Sequence, residues 1–389
     1  MSEKLKLKTL VTSWCLPPGL NGSSNIVSNL ARGFDADELV LAGELGPGPK
    51  DNQWDDEGGK KPAVYFIHKQ WPWKFKKTVR LFLFPFILWR MSRVYKKTKC
   101  RQILAVFPNE IYSFMALIIA RWNRVPFYSY FHNTYLDNRF GIKRTFASWL
   151  QPKIFRHSKI VFVMSEGMQT VLTKRYPGVR FEPLVHSFHG EIPQSNHRPI
   201  PDQSMKIGFM GNLNNSNLDA FSRFKHILEA FPDCQLTTYS GAADSLFREA
   251  GVSGKNVTHT KVGFDEVVDA LKQHDLLFLP HGFEGGFNEI EYETIFPTRT
   301  IPYLLAGVPI VAHSPPNAFL TKWLRRHDCA EIVDTKKTED LVGTVQRLIS
   351  SPQRQSEIAS NALVAAEQFQ IASVVDLLKS SINEAQPAN

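Results

Sequence analysis

The feature that most constrains this chain is an alternation that runs its whole length. Short β-branched or aromatic runs are separated by longer stretches of helical period across 389 residues. The strand-like runs in the first half are Thr9–Ser13, Ala63–Ile67, Ile103–Phe107, Phe127–Phe131 and Ile160–Met164. In the second half they are Lys206–Met210, Gln235–Tyr239, Leu276–Leu279, Pro309–Ala312 and Glu331–Val333. Helical period marks Asn25–Phe34, Glu110–Trp122, Glu166–Tyr176, Asp219–Ala230, Phe264–His274 and Glu339–Ser350. Strand, helix, strand in succession folds as right-handed βαβ units, and repeated units build a parallel sheet covered by helices. The expected class is therefore α/β.

A chain of this length accommodates two domains at roughly 100–200 residues each. The best boundary is SFHGEIPQSNHRPIPDQS, Ser187 to Ser204, which holds three prolines and little hydrophobic periodicity. Such a stretch is natural between domains and unusual inside one. Just after it, MKIGFMGN opens a strand, a Gly-containing turn and a helix, as LKTLVTSWCLPPGLNGSSN does near the start. Two doubly wound, Rossmann-like domains are expected, 1–187 and 205–370, joined by a linker 188–204. Residues 371–389 are expected to return as a helix to the first domain.

Composition removes several classes. A hydrophobic share of 43% and a charged share of 21% are ordinary for a globular chain. Cys15, Cys100, Cys234 and Cys329 lie far apart, which fits neither a disulfide framework nor a zinc ribbon and suits a reducing cytoplasm. The start MSEKLKLKTLVTSWC lacks a signal-peptide apolar run, and no stretch reaches the ~18 apolar residues of a membrane span. A soluble or peripheral protein is expected. The net charge of +9 favours anionic partners or reflects a solvated basic surface. No zinc, helix-turn-helix or aromatic RNP pattern supports a nucleic-acid partner. Lys74–Lys99, KFKKTVRLFLFPFILWRMSRVYKKTK, has an apolar centre between basic ends. It reads either as a surface for an anionic membrane on the inner face or as a helix kinked at Pro85 whose apolar side is core.

In open parallel sheets, ligands bind beyond the carboxyl ends of the strands, and two such domains would line a shared cleft with those ends. Four post-strand loops carry the informative residues. The first contains Gly19, Asn21, Gly22 and Ser23; it suits an anion at a helix start or simply a tight turn. It is not GxGxxG, so no nicotinamide or flavin cofactor is implied. The second ends in His132, which suits either a sugar hydroxyl and proton traffic or a structural role; Asp137 and Arg139 follow it. The third, Gly211-Asn212 to Asn217, suits a turn with a helix N-cap or contacts to a diphosphate. The fourth is Leu279-Pro-His-Gly-Phe-Glu284-Gly285-Gly286-Phe, followed by FPTRTIPYLLAGVPIV from Phe296. There a helix is expected to start near Pro297 and Thr298 with Arg299 one turn in, a dipole and a guanidinium suited to a diphosphate.

These residues resemble the retaining GT-B glycosyltransferases of the large family-four type. FPTRTIPYLLAGVPIVAHSPP is similar to the signature in which Phe-Pro-Thr-Lys precedes Glu-Tyr-Leu-Ala-x-Gly-x-Pro. VFVMSEGMQTVLTKRY and NVTHTKVGFDEVVDALKQHDLLFLP match further family elements, the second as the strand and helix flanking the donor base. The resemblance implies a metal-independent hexosyltransferase with no cofactor, using a UDP- or GDP-sugar and a glycan or lipid-linked acceptor. It implies catalytic roles for His132 and Glu284. Donor contacts fall to Gly211, Asn212, Gly285, Gly286, Pro297, Thr298, Arg299 and Tyr303. The chain departs from the pattern at Pro302, where the family's second glutamate binds the ribose. A Glu-rich insertion, Asn288 to Thr294, offers Glu289, Glu291 or Glu293 instead. Asn212 and Asn217 stand where a basic pair is usual. A non-catalytic GT-B protein and a nucleotide-sugar epimerase are the alternatives.

Overall fold

The computed structural model describes residues 8–17, 22–45, 61–68, 82–107, 109–194, 198–201, 204–214, 216–263, 266–284 and 289–385. The chain divides into two compact units, Met1–His189 with Phe369–Asn389, and Gly190–Gln368.

The first unit holds strands β1 (Thr9–Leu16), β2 (Leu39–Leu45), β3 (Ala63–His68), β4 (Gln102–Phe107), β5 (Phe127–Phe131), β6 (Val161–Val163) and β7 (Phe181–Pro183). Its helices are α1 (Gly22–Arg32), α2 (Phe84–Thr98), α3 (Glu110–Asn123), α4 (Ile142–His157) and α5 (Glu166–Arg175). All seven strands pair in parallel in the order β3-β2-β1-β4-β5-β6-β7. Every residue of β4 and β5 is buried, which is why, Gln102 and Ser129 apart, those strands are made of aliphatic and aromatic residues: helices cover both faces of the sheet. Helix starts follow local chemistry. The Asn109 side chain accepts the N–H groups of Ile111 and Tyr112 ahead of α3, and Ser165 accepts Met168 N–H ahead of α5.

The second unit holds β8 (Lys206–Met210), β9 (Gln235–Tyr239), β10 (Val257–Thr260), β11 (Leu276–Pro280), β12 (Ile310–His313) and β13 (Glu331–Val333). The helices between and after them are α6 (Leu218–Ser222), α7 (Lys225–Ala230), α8 (Asp244–Glu249), α9 (Val267–Leu271), α10 (Glu289–Thr294), α11 (Thr300–Ala306), α12 (Phe319–His327), α13 (Thr338–Ile349) and α14 (Pro352–Ala366). The strands are again all parallel, in the order β10-β9-β8-β11-β12-β13. Phe209, Phe221, Phe224, Phe247 and Phe278 form an aromatic centre to its core. Ile200, inside the expected linker, also enters this core, and its N–H donates to Gln355 Oε1 at 2.9 Å.

The last helix, α15 (Ile371–Glu384), belongs to the first unit. Val374, Val375, Leu378 and Ile382 pack with Ile26, Val27 and Leu30 of α1. Lys379 bonds Glu38 at 2.9 Å and lies 4.5 Å from the Phe34 ring centre.

Several local expectations change. The single helix read over Asp219–Ala230 is two, α6 and α7, with Phe221 and Phe224 on either side of the break stacked at 6.2 Å in the core. Pro85 opens α2 instead of kinking it; a first-turn proline gives up no helical hydrogen bond. Strands β2, β7 and β10 have no counterpart among the sequence-read runs, β10 falling only in the segment matched by the family resemblance. β2 carries Ala42-Gly43-Glu44 and β7 is three residues ending in Pro183, both poor strand signals on their own.

Candidate active site

In both sheets the strand order reverses beside the first strand of the unit, between β1 and β4 and between β8 and β11. Crossovers diverge there, leaving a crevice at the carboxyl ends of the strands. Arg299 occupies the crevice of the second unit. A Cβ placed on Gly211, which follows β8, would lie 3.1 Å from both Cδ and Nη1 of Arg299. Gly211 has φ +122°, so the position suits glycine both in backbone conformation and in space. On the β11 side stands His281. It is buried, neither ring nitrogen has a partner, and burial followed by the Arg299 charge lowers its pKa to about 3.

Arg299 keeps some exposure to solvent, yet its surroundings lower its pKa by desolvation. No carboxylate among the described residues pairs with it. A guanidinium withdrawn from water without a counter-charge is costly, and an anion bound beside it offsets that cost. The helix contributes less than the sequence suggests. Pro297 O accepts Thr300 N–H at 2.9 Å in a turn, so Pro297 and Thr298 precede the helix. Arg299 is the N-cap residue of α11, which is only seven residues long. The positive charge at this crevice is chiefly that of the side chain.

The loop after β11 is anchored by a residue with no sequence signal of its own. Asp219 Oδ2 accepts the backbone N–H groups of Phe283 at 2.9 Å and Glu284 at 3.0 Å. Gly282 N–H donates to Ser216 O at 2.7 Å, and a Cβ on Gly282 would lie 2.6 Å from that oxygen; only a glycine lets the two loops meet. Asp219 Oδ1 is buried without a partner, as is the Tyr292 hydroxyl, whose ring lies 5.3 Å from that of His281. Burial, then the Asp219 and Glu291 charges, raise the Tyr292 pKa. Of the three glutamates in the insertion, Glu291 is the buried one. His313, at the end of β12, donates Nδ1–H to Val333 O at 3.1 Å and leaves Nε2 unpartnered against Phe283. Burial lowers its pKa to about 4.

Glu284 is placed differently from its expected role. It is exposed, and its carboxylate pairs with Lys336, whose hydrogen bond and charge lower its pKa. Tyr303 is a correction. Its hydroxyl accepts Met210 N–H at 2.8 Å and donates to Phe278 O at 2.9 Å, pinning β8 to β11 from within the core and leaving nothing to offer a donor. Asn212 and Asn217 spend their side chains on backbone: Asn212 Oδ1 accepts the N–H of Gly241, in the loop after β9, at 3.1 Å, and Asn217 Nδ2 donates to Asn212 O at 3.0 Å. Gly285 and Gly286 lie outside the described residues.

In the first unit, His132 directly follows β5 and is buried. Its Nδ1 meets Asn133 Nδ2 at 3.3 Å, and its Nε2 has no partner. Burial, with His186 beside it at 5.9 Å between ring centres, lowers its pKa to about 3, so it is neutral at physiological pH. His186, overlooked in sequence, is likewise pushed down to about 4 by burial and leaves Nδ1 unpartnered. Asp137 is engaged by Arg175 through two hydrogen bonds of 2.8 and 3.0 Å, a structural pair. Arg139 lies 3.7 Å from Glu110. Gly22 and Ser23 open α1 beyond β1, whereas Gly19 and Asn21 fall outside the described residues.

Comparison with known proteins agrees with this architecture. Residues 20–183 match the family model described as Glycosyltransferase Family 4. No protein of curated function matches the chain in sequence. Among solved structures, Anabaena Alr3699/HepE in complex with UDP-glucose aligns with a TM-score of 0.70 at 14% identity, covering 97% of this chain and 100% of that one. Sucrose-phosphate synthase from Thermosynechococcus elongatus gives 0.70 at 10% identity over 97% and 98%. The lipopolysaccharide outer core galactosyltransferase WaaB, in its apo form, gives 0.64 at 15% identity over 98% and 100%. With its two parallel-sheet Rossmann-like units, the chain has the GT-B fold.

Proposed function

We propose that this chain is a glycosyltransferase that moves a hexose-type sugar from a UDP- or GDP-sugar to a glycan or lipid-linked acceptor, with retention and without a metal, in surface polysaccharide or glycolipid synthesis. The observation that carries the reading is Arg299, a desolvated guanidinium with no carboxylate partner among the described residues, at the switch point of the second sheet. In the transfer, the bond from the sugar C1 to the diphosphate oxygen breaks, the acceptor oxygen bonds to C1, and its proton passes to the departing phosphate. Negative charge grows on the nucleotide, and a fixed cation in a low-dielectric crevice stabilises that charge most as the bond breaks. The UDP-glucose complex of the Anabaena protein and the likeness to the galactosyltransferase WaaB support a nucleotide-sugar donor.

The first test is a thermal-shift screen of UDP, GDP and their sugars. A ligand at about 100 times its Kd stabilises the protein by about 2.7 kcal/mol. Arg299→Ala is expected to cut that stabilisation to about 0.3–1.4 kcal/mol at the same ligand concentration while the protein stays folded. No shift with any nucleotide, or an unchanged shift in Arg299→Ala, would overturn the reading.

A second reading, a non-catalytic glycan-binding or partner protein of the same fold, is favoured by the engagement of Glu284 with Lys336 and by Pro302 in the ribose position. Glu284→Ala separates the two: it removes turnover from a transferase and leaves glycan binding by a non-catalytic protein intact.

A further inference from the structure

The net charge of +9 is carried unevenly. Met1–His189 with Phe369–Asn389 holds 30 Lys and Arg against 15 Asp and Glu, whereas Gly190–Gln368 holds 16 against 22. Within the first unit the excess concentrates on two helices. α2 bears four Lys or Arg between Arg90 and Lys97, α4 bears four between Lys143 and Arg156, and neither contains an acidic residue.

The same helices turn large apolar side chains towards solvent. Ile142 is 91% exposed, Phe82 79% and Phe140 75%; Phe86 and Trp89 on α2 and Phe146 and Trp149 on α4 are exposed as well. A chain of ring contacts runs from α2 across α3 to α4. Phe84 stacks on Phe114 of α3 at 5.8 Å, Phe114 meets Trp149 edge-on at 5.7 Å, and Trp149 lies 5.6 Å from Phe146. The cations are interleaved with the rings: Arg90 is 5.8 Å from Phe86, Arg93 4.9 Å from Trp89 and Lys153 4.8 Å from Trp149. A contiguous exposed apolar patch marks an interaction surface, and long basic side chains that lie along apolar groups extend their charges to its rim.

We propose that this face docks on the surface of an anionic lipid bilayer, with the aromatic and Ile142 side chains at the headgroup boundary and the eight cations of α2 and α4 among lipid phosphates. Charge complementarity selects this occupant. A second copy of the chain would bring one set of eight cations against another. A nucleic acid matches the charge, but Ile142, the most exposed apolar side chain of the face, has no ring on which a base can stack. No helix among the described residues is long and apolar enough to cross a membrane, so the contact is interfacial. The proposal does not depend on the transferase reading, and its test needs no substrate.

The test is co-sedimentation of the full chain with vesicles of phosphatidylcholine alone and of phosphatidylcholine mixed with phosphatidylglycerol. Binding is expected to the mixed vesicles and not to the neutral ones. Each near-surface cation raises the partition about fivefold, so Lys143→Gln, Arg144→Gln and Lys153→Gln together lower it on the order of 100-fold. Trp89→Ser with Ile142→Ser also weakens binding, while a cooperative thermal transition shows that the variant, which loses the Trp89 contacts to Phe86 and Arg93, remains folded. Equal binding to both vesicle types, or no binding to either, would overturn the proposal. So would a wild-type dimer in the absence of lipid that the Trp89→Ser, Ile142→Ser protein fails to form. Tight binding of single-stranded RNA without vesicle binding would assign the face to nucleic acid instead.

Discussion

Replacing Gly211 with alanine probes the crevice at its closest approach. The residue has φ +122°, and an added Cβ would stand 3.1 Å from Cδ and Nη1 of Arg299. Backbone strain of this kind costs about 1–3 kcal/mol, which urea unfolding reads as lost stability. The contact is also tighter than ordinary van der Waals separation, so the guanidinium must move by a few tenths of an ångström. A hydrogen bond to a charged group contributes about 1.5–3 kcal/mol, so losing all of the Arg299–phosphate contact lowers nucleotide affinity roughly 10- to 150-fold. Arg299→Ala is expected to show that full loss and Gly211→Ala a part of it. Calorimetric titration of UDP and GDP into the wild type, both single variants and the double variant measures the coupling. Because alanine at 211 acts on binding through Arg299, it is expected to add nothing once Arg299 is gone. Additive losses would refute the account of Gly211. Unchanged affinity in both single variants would refute the site.

Tyr303→Phe leaves Met210 N–H and Phe278 C=O without their partner and is expected to cost about 1–3 kcal/mol in urea unfolding, with nucleotide affinity unchanged. Lost affinity at full stability would instead make Tyr303 a ligand contact. Asp219→Ala releases the two backbone N–H groups that shape the loop bearing Glu284, so affinity for a nucleotide sugar is expected to fall more than affinity for the bare nucleotide; equal losses argue against a sugar contact from that loop. His132 and His281 have pKa values lowered to about 3, and His186 and His313 to about 4, in each case chiefly by burial. The unfolded chain takes up protons below about pH 6.5 while these folded histidines stay neutral, so stability is full above that value and is lost as pH falls towards 4, by ~1.4 kcal/mol per pH unit for each histidine. Urea unfolding across this range checks the slope, and His186→Gln is expected to make it shallower; an identical slope would show that His186 does not stay neutral.

The parts of the fold that sequence disclosed are those written in local chemistry. β5, β8, β9 and β13 coincide residue for residue with the runs read for them, because aromatic and β-branched residues recur in each and favour the pleated backbone. β2 and β7 escaped because Ala42-Gly43-Glu44 interrupts the first and the second is three residues ending in Pro183; their pairing with β1 and β6 is what identifies them as strands. The candidate site follows the same division. Arg299, Gly211 and His132 were legible, since each sits in a motif at the end of an apolar run. His281 adjoined such a motif, and its two unpartnered nitrogens became visible only after folding. Asp219 was invisible, because it acts on Phe283 and Glu284, more than sixty residues away.

By itself, then, the order of residues determined the class of the fold, the alternation of its elements and the positions where Gly, Pro and Arg interrupt it, since those depend on periodicity and backbone preference. Only the tertiary structure decided which polar groups remain free. Tyr303 and Arg299 stand four residues apart on one short motif, yet packing spends the first on the backbone of β8 and β11 and leaves the second without a counter-charge. That difference arises because hydrogen bonding and desolvation depend on neighbours brought together across the sheet, and no local pattern records which neighbours those will be.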